Sequence, residues 1–148
     1  MIEETAPENN TFWFGILIVF CLSVLISCSP EVEKSQTIER SGVVYLIGAK
    51  EPFTGYIAGH SREDYRSKVC TYKKAYNNGV LHGDTKFWYP NGNLESIEPY
   101  SNGRLNGNVI RYYENGNKKS RISMVDGMRG GVSGEYFWSR DGKPLKES

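Results

Sequence analysis

A repeat with a period of 24 constrains the fold of this chain more than any other feature. Residues 77–127 contain it twice and begin it a third time, with Asn-Gly or Asp-Gly pairs that end at Gly79, Gly103 and Gly127. A second series of Asn-Gly pairs ends at Gly92 and Gly116. The two series interleave, so the gaps between successive turn glycines fit short strands and exclude helices of usual length. The sequence therefore predicts a mainly β fold, an elongated antiparallel meander of repeated β-hairpins.

The residues at the turns indicate how each hairpin closes. Asparagine and glycine tolerate the left-handed backbone that short hairpin loops need, and Pro90 presets φ at the position before them. Residues 55–79 keep part of the spacing, so we interpret them as a degenerate first repeat. The last gap is two residues longer, which predicts an insertion that widens the final hairpin tip. Six glycines are assigned as structural turns: Gly79, Gly92, Gly103, Gly116, Gly127 and Gly142.

An uncharged apolar run at residues 12–28 precedes the repeats and predicts an N-terminal signal or anchor helix. Its end, Leu25-Ile26-Ser27-Cys28, matches the lipobox of bacterial lipoproteins. That resemblance implies cleavage before Cys28 and acylation of this cysteine, which anchors a protein stably when two or three chains are attached. The residues before the run include three glutamates and no base, unlike a usual signal peptide, so an uncleaved single-pass helix remains the alternative.

Three segments follow from this reading. Residues 1–27 are the signal peptide or membrane anchor, and residues 28–41 are a polar, flexible tether. Residues 42–148 are the β-repeat domain. We expect the protein in the bacterial cell envelope, lipid-anchored to a membrane, or else as a single-pass membrane protein.

Composition and motif content argue against several functions. The net charge of +1 gives no general attraction to nucleic acid, and no nucleic-acid-binding motif is present. His60 and His82 are far apart in sequence and have no partner at metal-site spacing, and the carboxylates are scattered over hairpins. We therefore expect no catalytic residues, no metal, no cofactor and no enzyme activity.

Two groups of side chains are candidates for binding. Aromatic residues recur on successive hairpins, and strand alternation sorts them into two rows, one on each face of the sheet. One row must supply the core, and the other can meet a partner. The candidate binding face consists of Trp88, Tyr89, Tyr112, Tyr113, Tyr136, Phe137 and Trp138. The bases that flank the hairpin at Gly116 form a candidate basic patch for an acidic partner or anionic headgroups: Arg111, Lys118, Lys119 and Arg121.

The repeat resembles that of the MORN-repeat variant family, which includes YwqK-type antitoxins. The residues that carry the resemblance are Phe87-Trp88-Tyr89-Pro90-Asn91-Gly92, the segment from Tyr100 to Gly107, and Tyr112-Tyr113-Glu114-Asn115-Gly116. The resemblance covers about residues 43–144 and implies side-by-side hairpins in an elongated meander.

The expected function is therefore that of a membrane-tethered envelope lipoprotein whose sheet is a protein-binding or scaffold surface. The alternative is an antitoxin or immunity protein that neutralises a partner toxin, and an envelope hydrolase is the least favoured interpretation. The identity of the protein partner does not follow from these residues.

Overall fold

The computed structural model describes residues 29–62, 69–130 and 134–145. Within this part, one 3-10 turn (Lys34–Gln36) is present and all other regular elements are strands. The N-terminal strands are β1 (Glu31–Glu33), β2 (Thr37–Arg40), β3 (Val43–Leu46), β4 (Gly55–Arg62) and β5 (Val69–Asn77). The repeat strands are β6 (Val80–Leu81), β7 (Gly83–Trp88), β8 (Leu94–Ser101), β9 (Arg104–Leu105), β10 (Gly107–Tyr112), β11 (Lys118–Val125), β12 (Met128–Arg129), β13 (Glu135–Trp138) and β14 (Pro144–Leu145).

Twelve of the described strands form one long sheet, and β2 and β3 form a separate two-stranded sheet. The path of the long sheet runs β1-β4-β5-β7-β8-β10-β11-β13-β14, and the two-residue strands β6, β9 and β12 pair with the ends of β5, β8 and β11. Every pairing along this path is antiparallel except that of β1 with β4. The predicted antiparallel hairpin meander is confirmed. The predicted N-terminal helix falls on residues that lie outside the described part of the chain.

On the side of the sheet where β5, β8 and β11 end, the Asn-Gly and Asp-Gly turns connect each repeat to the one before it. Asn78 and Gly79 both have positive φ (49° and 76°), as a type I′ turn requires. In the next turn, the Gly103 N–H donates to the carbonyl of Leu81 at 2.9 Å. The Gly127 N–H donates in the same way to Leu105 at 2.8 Å, so the contact recurs with the repeat.

At the opposite end, each hairpin tip is tied to the next by side-chain amides. We define tip 1 as residues 89–93, tip 2 as 113–117 and tip 3 as 139–143. The amides of Asn91 and Asn93 both donate to the Glu114 carbonyl at 2.9 Å. Those of Asn115 and Asn117 donate to the Arg140 carbonyl at 2.8 and 3.0 Å.

Tip 3 ends this ladder of amide contacts. Asp141 stands where the other tips have their first asparagine, and a carboxylate cannot donate to a further carbonyl. Instead the Asp141 carboxylate accepts a hydrogen bond from the Ser139 hydroxyl, and this bond holds the pKa of Asp141 below its usual value. Tip 3 therefore departs from the chemistry of the other two tips.

The two-residue insertion does not widen the last tip, so that prediction is wrong. Tip 3 closes with a hydrogen bond from the Ser139 N–H to the Lys143 carbonyl, the same span that closes tip 2. Arg121 pairs with Tyr136, whereas the earlier equivalent Ile97 pairs with Ile110. Tyr136 is therefore equivalent to Ile110 and lies two positions later than the repeat period predicts, which places the extra residues before β13.

The hydrophobic core lies at the N-terminal end of the sheet. Val44 of β3, Phe53, Ile57 of β4 and Tyr72 of β5 are almost fully buried in one cluster. The β2–β3 hairpin thus covers one face of the first strands, which we call the core face. Gly79 lies under this hairpin, where a Cβ atom would stand 2.4 Å from a methyl of Val43, so only glycine fits.

The flexible tether predicted for residues 28–41 is also wrong over most of its length. Residues Glu31–Glu33 form the first strand of the sheet, and the Pro30 carbonyl accepts a hydrogen bond from the Tyr56 N–H at 2.8 Å. Thr37–Arg40 pair with β3. The segment is polar in sequence because it lies at a sheet edge, where one half-buried apolar residue, Val32, is enough to pack it against the core.

Beyond the core cluster, neighbouring side chains on the core face bury one another without a second layer of structure. A row of cross-strand neighbours alternates large and small residues: Tyr72, Phe87, Ser96, Arg111, Ser120 and Phe137. Ser96 and Ser120 are each only 5 % exposed. Because a large side chain stands on either side of each serine, the serines are buried within a single sheet layer.

Candidate functional site: an aromatic and basic groove

The face opposite the core face carries a second cross-strand row, which runs the length of the sheet. Residues directly opposite one another on paired strands project to the same side. Consecutive pairings connect Lys73, Lys86, Ile97, Ile110, Arg121 and Tyr136 in that order. All six are half-buried, and we call this side of the sheet the groove face.

A groove of about 260 Å³ lies at the C-terminal end of this face and is lined by Ile110, Lys118, Arg121, Tyr136 and Trp138. The rings of Tyr136 and Trp138 stack with centroids 6.3 Å apart and planes inclined by 25°. The Arg121 guanidinium lies 4.3 Å from the centre of the Tyr136 ring, and the Lys118 ammonium lies 6.0 Å from that of Trp138. The groove thus combines an aromatic wall with two cations.

Arg121 is the least satisfied charge in the groove. Its Nε atom is buried without a hydrogen-bond partner, and its contact within the groove is the Tyr136 ring. None of the five lining residues is acidic. An arginine that is partly desolvated and has no carboxylate among the described groove residues favours an external anion at this position.

A second, wider hollow of about 570 Å³ occupies the N-terminal part of the groove face, next to Lys73, Lys86 and Trp88. Here one cation is already neutralised, because Lys73 forms an ion pair with Glu31 of β1. Lys73 also lies 4.5 Å from the centre of the Tyr56 ring. Asp84 lines the same hollow, so its charge is mixed, unlike that of the C-terminal groove.

The structure divides the seven predicted aromatic residues between different roles. Trp88, Tyr136 and Trp138 lie on the groove face, and strand alternation places Tyr112 with Ile110 on the same side. Phe137 pairs with Ser120 and lies on the core face. This division follows the alternation of side chains between the two faces of each strand.

Tyr89 and Tyr113 have a third role at the hairpin tips. The Tyr89 hydroxyl donates to the Tyr112 carbonyl at 2.8 Å, and the Tyr113 hydroxyl donates to the Trp138 carbonyl at 2.9 Å. Both tyrosines thus connect neighbouring hairpins through their own side chains. Their recurrence is explained by this structural contact.

The predicted basic patch is likewise divided. Lys118 and Arg121 meet at the groove. Lys119 lies 5.6 Å from the centre of the Tyr113 ring, near tip 2. Arg111 pairs with Ser120 and Ser96, which places it on the core face. Two of the four bases therefore contribute to one site.

Sequence reasoning missed the two isoleucines and two lysines that complete the groove-face row. Lys73 and Ile97 are 24 residues apart, as are Lys86 and Ile110, but the residue type at each of these two repeat positions changes from one repeat to the next. The sequence indicates how these side chains alternate along each strand, but the residue that lies opposite each of them on the next strand depends on hairpin register. The geometry of the hairpin tips sets that register.

The six turn glycines lie at the hairpin ends with φ between 76° and 88°. Within residues 29–62, 69–130 and 134–145, no group of three or more His, Cys, Asp or Glu side chains could hold a metal ion. Over the same ranges, no helix has the length and apolar character needed to cross a membrane. Cys28, the predicted lipidation site, lies outside the described residues.

On the core face, one tyrosine has a strongly perturbed acidity. Burial raises the pKa of Tyr100 to about 12, and the nearby Glu98 carboxylate contributes through its charge and through a 3.2 Å hydrogen bond from the hydroxyl. Tyr100 is therefore neutral over the physiological range and acts as a hydrogen-bond donor.

Comparison with known families agrees with this geometry. Residues 81–102 and 105–126 each match the model of the MORN repeat variant. Residues 81–126 are therefore two MORN-variant repeat units. No curated protein and no solved structure is significantly similar to it.

The two matched MORN-variant units correspond to strands β6–β8 and β9–β11 with their turns. The structure extends the same hairpin pattern on both sides, to β4–β5 before the matches and to β12–β14 after them. MORN repeats commonly act as scaffold modules that bind proteins or membranes, and the groove face is consistent with that general role.

Proposed function

We propose that this MORN-variant protein is a non-catalytic binding protein of the bacterial cell envelope, whose groove face binds a protein partner. The observation that carries the binding role is the groove of stacked Tyr136 and Trp138 with Arg121 and Lys118 above the rings. Aromatic and arginine side chains are enriched where protein interfaces gain most of their energy.

The edges of the sheet support a role for its face. Among the described strands, one edge is β1, of three residues, and the other is β14, of two residues that include Pro144. Short edge strands and proline discourage pairing with a strand from another molecule. A partner is therefore expected to contact side chains on the groove face.

In the proposed setting, an acylated Cys28 holds the sheet at a membrane. Pro30 already accepts a hydrogen bond from Tyr56, so only about 7 Å of extended chain separates Cys28 from the fold. The membrane then lies next to β1. The groove-face strand β13 is seven strand steps away along the sheet, about 34 Å at the usual spacing. The binding groove is thus presented away from the anchor.

The binding role is tested by photo-crosslinking in envelope preparations from the source organism. We expect a crosslinked protein when the probe is placed beside the groove, and loss of that product in a Tyr136→Ser/Trp138→Ser variant. Arg111→Glu on the core face is the matched control and is expected to keep the product. Equal crosslinking by all three proteins contradicts the proposal, and a toxin among the products supports the immunity-protein alternative.

The anchor is tested by labelling cells with radioactive palmitate. We expect the wild type to take up label and Cys28→Ala to lose both the label and its normal membrane location. If the variant stays in the membrane and the wild type takes up no label, residues 12–28 act as an uncleaved helix. In that case the lipid anchor is wrong and the groove-face proposal is unaffected.

A further inference from the structure

The groove-face row has a charge pattern that specifies more than a general protein partner. Its central members, Ile97 and Ile110, pair directly and are apolar. They are flanked by Lys86 on one side and Arg121 on the other, which pair with Ile97 and Ile110 respectively. The order across four consecutive strands is therefore cation, apolar, apolar, cation.

The two flanking cations are available to a ligand. Lys86 and Arg121 take part in none of the four described ion pairs, whose bases are Lys73, Arg104, Arg129 and Lys143. The buried Nε of Arg121 lacks a partner. Both side chains are half-buried, which weakens solvent screening of a contact with a carboxylate.

The spacing of the two cations matches that of an extended peptide. Arg121 and Lys86 are three strand steps apart, about 14 Å at the usual strand spacing. In an extended segment, side chains four positions apart project to the same side and are also about 14 Å apart. The side chain midway between them meets the isoleucine pair.

We propose that the groove face binds an extended acidic segment of a protein partner, with carboxylate side chains at positions i and i+4 and an apolar side chain at i+2. The carboxylates contact Arg121 and Lys86, and the apolar side chain packs on Ile97 and Ile110. This inference rests on the proposed binding function of the groove face and adds the chemistry of the partner. A lipid surface fits less well, because Tyr136 and Trp138 stack on each other and lie half-buried beneath cations.

The test uses the full chain in a neutral detergent and two labelled peptides of identical composition. One has the core Ser-Glu-Thr-Val-Thr-Glu-Ser, with glutamates four apart. The other has Ser-Glu-Thr-Val-Glu-Thr-Ser, in which the second glutamate moves to the opposite side. By fluorescence anisotropy, we expect the first peptide to bind at least tenfold more tightly. Arg121→Glu and Lys86→Glu are expected to abolish that preference, and Arg111→Glu on the core face to keep it.

Each outcome decides between the possibilities. Equal binding of the two peptides, or binding that survives Arg121→Glu, overturns the inferred spacing. Phosphatidylglycerol added to the micelles is the lipid probe: if it changes tryptophan fluorescence in an Arg121-dependent way while neither peptide binds, the ligand is lipid and the inference is wrong. If neither probe binds but the groove crosslinks to an envelope protein, the proposed function stands and only the acidic-segment inference fails.

Discussion

At the scale of single residues, the backbone of the hairpin tips depends on glycine at a left-handed position. Gly92 has φ +85°, and a Cβ atom added there would contact nothing within 4 Å. A substitution at this position therefore measures backbone strain without a steric clash. The same holds for Gly116, at φ +88°.

We predict that Gly92→Val lowers the free energy of unfolding by about 1 kcal/mol or more, because a β-branched residue is strained at positive φ. Gly92→Asn is the matched control and should lose less, since asparagine tolerates this conformation. Urea denaturation of the three proteins checks this. Equal losses for valine and asparagine contradict the backbone explanation.

A second residue-scale prediction concerns Tyr100. Its pKa in the folded protein is about 12, above the ordinary value of 10.0 that the unfolded chain approaches. Between these values the unfolded chain loses a proton that the folded protein keeps, so stability present below pH 10 declines as the pH rises towards 12. We expect Tyr100→Phe to reduce this decline in urea denaturation across that alkaline range. Part of the decline is expected to remain in this variant, because the pKa of Tyr76 is also raised. An identical pH dependence in both proteins refutes the assignment.

At the scale of elements, the ladder of asparagine amides joins consecutive hairpin tips that are far apart in the sequence. Asn115 has two functions in tip 2. Its amide donates to the Arg140 carbonyl of tip 3, and its Oδ1 accepts a hydrogen bond from the Asn117 N–H at 3.1 Å. An aspartate keeps the second contact and cannot make the first.

We therefore predict that Asn115→Asp lowers the free energy of unfolding by about 1 kcal/mol, the net value of one hydrogen bond. Asp141→Asn is the control at tip 3, where the ladder ends, and it should change stability by less than about 0.5 kcal/mol. Thermal and urea denaturation provide the measurement. A variant Asn115→Asp as stable as wild type would show that the ladder contributes nothing to stability.

At the scale of the whole molecule, the sheet is a linear array in which each hairpin contacts its neighbours. Deleting residues 90–113 removes one full period of the repeat and joins Tyr89 to Glu114, so that Tyr89 takes the place of its repeat equivalent Tyr113. We predict a shorter protein that keeps a strand-dominated circular dichroism spectrum and unfolds at lower urea concentration, since one interface between repeats is lost. The urea m-value should fall by roughly a fifth, because it scales with the surface exposed on unfolding and the shorter protein buries less surface.

Deleting residues 90–112, one position short of a full period, is the matched control for that prediction. It shifts the alternation of every later strand by one position and turns the core-face residues to the groove face. We expect this variant to aggregate or to unfold without a cooperative transition. Similar behaviour of the two deletions is the result that contradicts a modular array.

Much of the fold was accessible from the sequence because turn chemistry and strand alternation are local properties. The repeat spacing located the hairpins, and the Asn-Gly pairs marked their ends. The wrong predictions concern strand pairings between residues that are far apart in the sequence. The polar composition of residues 31–40 predicts a tether, because nothing in that composition reveals that the β4 edge and the β3 strand pair with the segment. The glycine spacing predicts the insertion at tip 3, whereas the pairing of Arg121 with Tyr136 places it before β13.

The candidate site divides in the same way. By itself the sequence determined which residue types recur, and it therefore identified Trp88, Tyr136, Trp138, Lys118 and Arg121 as candidates. Only the tertiary structure decided which of them meet: cross-strand register brings Arg121 over Tyr136, turns Phe137 and Arg111 to the other face, and aligns Ile110 and Ile97 between two cations. The physical reason is that side-chain identity is a property of each position, whereas a binding surface depends on neighbours that belong to other strands.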